Sequence, residues 1–432
     1  MIPLLRKIVP LWLFKRLQSP YHLTLSFLGA LVYRFPSRSI KIVGVTGTKG
    51  KTSTVEFVNS VLETAGYKTA LASTLRFKIS DQENRNLYKM TMPGRFFLQC
   101  FLRRAVSAGC DWAILEITSE GVKQWRHKWI NLNALIFTNI SPEHIEAHGS
   151  FEKYMQAKIA IGRALENSFK RNKIIVANGD DTYGRDFLAL SVPNRFSFSL
   201  SQAEKYKTGE AGIEFLWNGK RIVSKLRGVF NVYNILAAAT FASAIGVSAE
   251  NIAAAIKKLS AIRGRVEFVT IPSVKQDFDV VVDYAHTIDS LSKLYEAFSK
   301  RKKICVLGNT GGGRDKWKRK GMAETADKYC DEIILTNEDP YDEDPMEILN
   351  QMKAGIKNKP FEIILDRREA IRLALSKAQE LAHGKPSRNE NVVVLISGKG
   401  TDPYIMGPNE SKIPWDDATV VREELERLSL GS

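Results

Sequence analysis

The chain has 432 residues, more than one ordinary core can organise, so two or three domains are expected. With 44% hydrophobic and 25% charged residues it reads as a soluble globular protein, which excludes fibrous and low-complexity classes. The formal net charge of +16 suits anionic small molecules such as nucleotides, and no nucleic-acid recognition motif accompanies it.

Residues 1–38 are apolar, aromatic and basic. No Asp or Glu precedes Glu56, whereas nine Lys or Arg occur up to Lys51. The uncharged run from Leu17 to Tyr33 includes Pro20 and His22 and falls short of the about 20 mostly apolar residues that a bilayer span needs. No small-residue cleavage site follows, so a signal peptide is not expected. Two readings stand: a helical arm packed on the next domain, or an amphipathic segment on the anionic inner face of a membrane with Trp12, Phe14 and Phe27 inserted.

From residue 40 strand and helix alternate. "IKIVGV" predicts a buried strand, "GVTGTKGKTS" (44–53) a Gly-rich turn, and the next residues a helix through about Ala65. The turn departs from G-x-x-x-x-G-K-[ST], because Val45 stands where the first glycine belongs. Its context is nevertheless that of a phosphate loop. Consecutive N–H groups at a helix start favour an anion, Lys51 can reach terminal phosphates, and Thr52 can offer a hydroxyl to Mg²⁺. "WAILEIT" and "LNALIFTNI" predict further buried strands. Glu116 closes the first of them, either as an exposed strand end or as a carboxylate for the nucleotide's magnesium. In "TNISPEHIEAHGS" His144 and His148 are four apart, but the zincin order is absent, leaving His144 open as a magnesium ligand or a structural histidine. "SFEKYMQAKIAIGRALEN" predicts a helix whose apolar stripe is Phe151, Tyr154, Ile161 and Leu165. Lys158 falls on that stripe, so it either snorkels to the edge or is buried with a partner or a modification. "NKIIVAN" predicts a strand and "GVFNVYNILAAATFASAIG" a helix, completing a parallel α/β pattern.

After "RGRVEFV" the rhythm restarts with strands "DVVVDYA", "KKICVLG", "DEIILTN", "FEIILD" and "NVVVLIS", separated by helices near 288–300, 317–329, 344–356 and 367–382, with a last helix from about Asp416. The fold class is therefore α/β: a central P-loop ATPase-type parallel-sheet domain (39–262) followed by a Rossmann-like C-terminal domain (263–432). At the ends of the second set of strands lie "VVDYAHT", "GNTGGGRDKWKR", "TNEDPYDEDP" and "SGKGTDPY", a crevice of both charge signs that suits an amino acid or peptide. Cys100, Cys110, Cys305 and Cys330 form no C-x-x-C pair, which argues against a zinc ribbon and a disulfide framework and for a reducing cytoplasm.

Together "GTKGKT", "FNVYNILAA", "DYAHT" and "GKG" resemble the Mur ligase family, the ATP-dependent amino-acid ligases of peptidoglycan precursor synthesis, from about residue 40 to 430 and most of all its tripeptide-synthetase branch. The resemblance implies a cytoplasmic enzyme of cell-wall biogenesis, cell shape and division. It would use ATP and Mg²⁺ to phosphorylate the carboxylate of a nucleotide- or lipid-linked muramoyl peptide, which an amino acid's amine then attacks. It implies nucleotide contacts from Gly47, Thr48, Lys49, Gly50, Lys51, Thr52, Ser53, Asn139, Asn231, Arg265, Asp283 and His286. It implies magnesium support from Thr52, Glu116, His144 and a carbamylated Lys158, the last three with Lys51 forming the catalytic set. Substrate contacts are implied at Thr91, Pro93, Ser119, Arg314, Asp339, Tyr341, Gly398, Thr401 and Asp402. Two departures stand out. The family carries an N-terminal domain for the UDP moiety where this chain has its basic arm, and branches using diaminopimelate read D-N-P-R where this chain has Glu338-Asp339-Pro340-Tyr341. Lysine or another amine is the expected addition. A folylpolyglutamate-synthase-like ligase and a membrane-attached P-loop ATPase without ligase activity are the alternatives.

Overall fold

The computed structural model describes residues 11–142, 149–209, 211–272, 276–314, 316–382 and 392–430. The first sheet has eight strands: β1 (Lys41–Thr46), β2 (Thr69–Ala72), β3 (Arg76–Ile79), β4 (Gln82–Arg85), β5 (Trp112–Glu116), β6 (Ala134–Phe137), β7 (Ile174–Asn178) and β8 (Asn194–Phe198). Their order is β4-β3-β2-β5-β1-β6-β7-β8. All pairs from β2 to β8 are parallel, and β3 and β4 add an antiparallel edge. β1 therefore lies between β5 and β6, and the loops leaving these three strands open on one edge.

Strands β1, β2, β5, β6 and β7 are buried on both sides, as helices on both faces demand, whereas the edge strand β8 is largely exposed. Val43 and Val45 face one core, formed with the helices Lys51–Thr64, Val229–Ala244 and Ala249–Lys258. Ile42 faces the other, formed with the helices Arg95–Ser107 and Phe151–Glu166. Ser150 caps the latter helix by accepting from Lys153 N–H. A separate antiparallel sheet of β9 (Glu204–Gly209), β10 (Gly212–Trp217) and β11 (Lys220–Ser224) follows, which the sequence reading lacked.

The third sheet, in order β12-β13-β17-β14-β15-β16, is built from β12 (Glu267–Phe268), β13 (Asp279–Val282), β14 (Lys302–Leu307), β15 (Glu332–Thr336), β16 (Phe361–Ile364) and β17 (Val392–Ile396). Apart from the short antiparallel β12 it is parallel and covered on both faces. Helices Arg367–Ala382 and Asp417–Leu430 cover one face, and Ile288–Glu296, Lys318–Tyr329 and Pro345–Lys353 the other. The expected strands and helices are therefore present. The cysteines correct the reading: Cys305 in β14 and Cys330 just before β15 are joined by a disulfide. Their 25-residue separation hides that adjacent parallel strands bring them side by side.

The arm contains a helix, Leu11–Val32, with Pro20 inside it. One face packs on the helix Arg95–Ser107: a Cβ on Gly29 would lie 3.5 Å from the carbonyl of Arg95, and Ser26 Oγ donates to Trp125 O at 2.8 Å. Arg103 donates to the carbonyl of Tyr33 and fixes the end of the helix. Among the described residues no helix is long and apolar enough to cross a membrane.

Candidate functional site

β1 ends at Thr46, and the chain turns sharply before the helix starts at Lys51. Two glycines make the turn feasible. Gly47 (φ 151°) and Gly50 (φ 78°) adopt backbone conformations costly for other residues. A Cβ would lie 1.9 Å from Thr138 Oγ1 at the first and 2.3 Å from Asn234 Oδ1 at the second. The loop is braced from the end of β6. Asn139 accepts from Lys49 N–H through its side chain (2.9 Å) and from Thr48 N–H through its carbonyl (2.8 Å). Thr138 Oγ1 donates to Lys49 O at 2.7 Å. Thr54 N–H makes the bond to Gly50 O, so the N–H groups of Lys51, Thr52 and Ser53 lie ahead of the helical ladder and can serve an anion. Lys51 Nζ donates to the loop's own Thr48 carbonyl at 2.9 Å.

Glu116, at the end of β5, is 3% exposed. Its carboxylate accepts from Thr52 Oγ1 at 3.1 and 3.2 Å and from Thr74 N–H at 2.9 Å. A buried carboxylate touching the loop hydroxyl is the hard-oxygen donor pair that Mg²⁺ prefers. Lys158 is 1% exposed, so it does not snorkel. Its Nζ donates to Gly47 O at 2.6 Å and lies 4.7 Å from the Tyr154 ring centroid. The Tyr154 hydroxyl is hydrogen-bonded to Thr48 at 2.9 Å. His144 lies outside the described residues.

The third sheet faces this loop across a cavity of about 850 Å³. Gly47 through Ser53, Thr91, Glu116, Ser119, Asn139 and Lys158 line it from the first sheet, and Arg265, Asp283, His286, Arg314, Asp339, Gly398 and Asp402 from the third-sheet side. Pro93, Asn231, Tyr341 and Thr401 do not line it. Asn231 is buried and uses its amide within the protein, donating to Arg227 O and accepting from Asn234, the residue that touches Gly50. The carbonyl of Thr401 accepts from Arg85 at 2.8 Å.

Charge is arranged differently at the two ends. Asp283 accepts from the N–H groups of Val266 and Ala285, both at 2.7 Å. Burial raises its carboxyl above the usual range against the opposing pull of Arg265. Arg265 spans the units: its guanidinium stacks 4.5 Å from the Tyr284 ring, and one nitrogen lies 3.5 Å from Thr52 Oγ1. Lys49 pairs with Asp289 across the same gap. At the far end Asp339 accepts from Lys399 Nζ (2.9 Å) and Met406 N–H (2.8 Å) through one oxygen, and from Lys89 Nζ (2.5 Å) through the other. Both lysines also lie 3.5 Å from Asp402.

Sequence reasoning missed Lys89, Asn234, Tyr154 and Glu338. A signal existed for two of them: Tyr154 shares the helical stripe of Lys158, and Asn234 follows Asn231 by one helical turn. Nothing local marks Lys89, whose partners are 250 residues or more away.

A phosphate loop, a buried carboxylate on its hydroxyl and a second doubly wound sheet closing over both define a nucleotide-dependent two-unit enzyme rather than a simple binding module. Residues 45–242 match the Mur ligase middle domain, and residues 264–400 match the Mur ligase, glutamate ligase domain. The chain is 32% identical over 417 residues to a UDP-N-acetylmuramoyl-L-alanyl-D-glutamate–2,6-diaminopimelate ligase from Bacillus cereus, covering 93% of this chain and 81% of that one. A solved structure of an enzyme of that name superposes with a TM-score of 0.60 at 26% identity, over 90% of this chain and 79% of the other. A Mycobacterium tuberculosis folylpolyglutamate synthase complexed with ADP and AMPPCP superposes with a TM-score of 0.71 at 17% identity, over 95% of both chains, a likeness of fold. The chain belongs to the Mur ligase family, and it is an ATP-dependent ligase using Mg²⁺.

Proposed function

We propose that the protein joins the amine of an amino acid to the free carboxylate of a muramoyl-peptide precursor, in the cytoplasm, through an acyl phosphate. The observation that carries this reading is the single cavity with the phosphate loop at one end and the charged strand ends of the third sheet at the other. An activated carboxylate and an attacking amine can meet only where two such ends share one space, and catalysis is then mainly positioning and charge neutralisation. We take 39–262 as the ATP-binding domain and 263–432 as the domain that brings the amino acid.

In this reading the N–H groups of the loop and Lys51 hold the phosphates, with Ser53, Asn139, Asn231 and His286 shaping the nucleotide's surroundings. Thr52 and Glu116 hold the magnesium, which when bound neutralises charge on the transferring phosphoryl group. Arg265 brings a cation from the second unit to the same hydroxyl. Carbamylation would convert Lys158 from a cation to an anion beside the loop, adding a carboxylate-like group where Glu116 stands alone among the described residues facing Thr52. Thr91, whose hydroxyl is hydrogen-bonded to Thr74 at 2.7 Å, with Pro93 and Ser119 lies on the muramoyl-peptide side. Arg314, Asp339, Tyr341, Gly398, Thr401 and Asp402 lie on the amino-acid side. The test is phosphate release from ATP with UDP-linked and lipid-linked muramoyl dipeptides crossed with amino acids. Release that depends on both substrates is expected. Release indifferent to both would leave a plain ATPase, and release supported by folates would favour the folylpolyglutamate alternative.

For the arm we propose a lipid contact at the inner membrane face. Leu23, Phe27, Leu28, Leu31 and Val32 are exposed on the helix Leu11–Val32. Phe27 packs edge-on against Trp129, and the Arg38 guanidinium lies over both Phe35 and the exposed Phe169. Apolar groups beside a guanidinium suit an anionic headgroup layer. Cosedimentation of the full chain with phosphatidylglycerol vesicles, but not phosphatidylcholine vesicles, is expected, and Phe27→Asp with Leu31→Asp should abolish it. Equal recovery of wild type and variant on anionic vesicles would reject the contact.

A further inference from the structure

A second cavity, of about 330 Å³, lies at the antiparallel edge of the first sheet, between the β3–β4 hairpin and the helix Arg95–Ser107. The volume falls in the range of small-molecule clefts, about 300–1,000 Å³. Phe77 and Ile79 of β3, Leu87 and Tyr88 after β4, and Phe97 and Phe101 of the helix form its apolar wall. Residues 77 and 79 share one face of a strand, and 97, 101 and 104 one face of a helix, so the two elements turn one apolar side towards each other. The rings lean on one another. Phe77 and Tyr88 lie 4.8 and 5.1 Å from Phe97 between centroids, at angles of 59° and 64°. Rings so tilted leave no parallel slot for a planar base, which stacks on a flat aromatic face. They make a trough for a flexible hydrocarbon chain, and Leu87 and Tyr88 stay more than half exposed along it.

The charge at the cleft has one sign. No carboxylate lines it. The acidic residues of the hairpin stay outside: Glu83 pairs with Arg76, and Asp81 sits in the exposed turn. Of the two arginines in the lining, Arg85 donates to the carbonyl of Thr401 and pairs with Asp416, both at 2.8 Å, so its charge is already matched. Arg104 is exposed and makes no ion pair among the described residues. An apolar trough with one uncommitted guanidinium at its rim suits a hydrocarbon chain that ends in phosphate.

The cleft also shares a wall with the large cavity. Along one stretch of chain, Asn86 lines the large cavity, Leu87 and Tyr88 the cleft, and Lys89 to Met92 the large cavity again. A substrate with its peptide beside Thr91 and its carrier in the cleft has only this single strand of chain to cross. The helix Arg95–Ser107 carries the arm on its neighbouring side. The backbone of Phe96 lies 3.5 Å from where a Cβ on Gly29 would stand, and Arg103 donates to the Tyr33 carbonyl. The cleft therefore lies beside the segment that we place on the membrane face.

We infer that this cleft holds the phosphate-bearing end of a lipid carrier, its hydrocarbon among the rings and its phosphate on Arg104, so that the acceptor is the lipid-linked form of the muramoyl peptide. The inference rests on the ligase reading and names the acceptor's carrier.

Cys100 lines the cleft and reports on it directly, since Cys110 is buried and Cys305 is joined to Cys330. The full-length protein is treated with N-ethylmaleimide, and modification of Cys100 is followed by mass spectrometry. Farnesyl diphosphate, at about ten times its half-protecting concentration, should slow labelling about tenfold. UDP, inorganic diphosphate and dihexanoylphosphatidylglycerol should not. Equal labelling with and without farnesyl diphosphate, or equal protection by UDP or by the phospholipid, would overturn the assignment. Phosphate release then compares lipid-linked with UDP-linked muramoyl dipeptide in the presence of amino acids. The lipid-linked acceptor should have the higher kcat/KM by at least about tenfold, the order of a few buried methylene groups. Leu87→Glu combined with Arg104→Glu changes two exposed side chains. It should raise the KM of the lipid-linked acceptor about tenfold and leave the melting temperature and the kinetics of the UDP-linked acceptor unchanged. A higher kcat/KM for the UDP-linked acceptor, or a variant without effect on the lipid-linked one, would overturn the inference while leaving the ligase reading intact. Silence with both acceptors would instead defeat the ligase reading, and the labelling would still judge the cleft.

Discussion

At the phosphate loop two cations are held on main-chain oxygen, Lys51 and Lys158 donating to the carbonyls of Thr48 and Gly47, while Lys49 alone pairs with a carboxylate, that of Asp289. At the strand ends of the third sheet the cations are held on carboxylates: Lys89 and Lys399 on Asp339, and Arg367 on Asp417. The first arrangement keeps positive potential available, so the loop is ready for an anion without rearrangement. The second has already spent its charges on one another. Carbonyl-held cations make a receiving site, and fully buried carboxylate-held ones make a structural anchor. Burial separates the carboxylate-held pairs from one another. Arg367 and Asp417 are fully buried, whereas Lys89 keeps 16% of its side chain exposed.

That distinction can be broken in four ways. The largest effect falls on the anchor. Asp417 accepts from Arg367 twice at 2.8 Å and from Trp415 at 2.7 Å, so Asp417→Ala leaves an uncompensated buried guanidinium and should cost about 3–5 kcal/mol of stability. Urea unfolding would show this as a lower midpoint, and a change within about 1 kcal/mol would mean the pair is not an anchor. On the receiving side, Lys51→Ala should leave the melting temperature nearly unchanged and lower ATP-dependent phosphate release by about 10²–10³-fold. Retained turnover would show that the loop works through its N–H groups alone.

Lys158→Ala should reduce activity by about 10–100-fold, as expected of a group that supports a metal from one step away. Recovery by added short-chain carboxylates would establish the carbamate, and activity equal to wild type would reject it. The smallest effect concerns a buried group outside both ends. Burial pushes His127 down to about 4 from its ordinary 6.5. Its neutral form is favoured by the fold, so this stability is present above pH 6.5 and is lost as pH falls from there towards 4. The full loss is at most about 3 kcal/mol. His127→Gln should therefore show a shallower loss of melting temperature between pH 7 and pH 4.5 than wild type, and parallel curves would contradict the assignment.

Much of the architecture was legible in the chain because its cause is local. β-branched runs such as Val280–Val282 and Val392–Val394 can be satisfied only between two covered faces, and Gly47 and Gly50 sit where the backbone must turn before a helix. The strands β3, β4 and β9 were not legible: β4 and β9 lie at sheet edges and β3 next to one, where the periodicity of burial fades. The stripe of Phe151, Tyr154, Ile161 and Leu165 left Lys158 either snorkelling to the edge or buried with a partner, and the structure decides for burial. Which oxygen it meets, Gly47 O, lies 111 residues away and has no sequence signature.

The sequence by itself determined the buried strands and helices of the two parallel sheets, the phosphate loop and the family, because each rests on spacing within a few residues or a turn of helix. Tertiary structure alone decided the rest. It joined Cys305 to Cys330 through adjacent strands, made Asn231 a brace for Asn234 instead of a cavity wall, and set Lys89 from one unit on Asp339 and Asp402 of the other. Electrostatic partners are chosen by distance in space, and 4 Å between charges can separate any two positions in a chain.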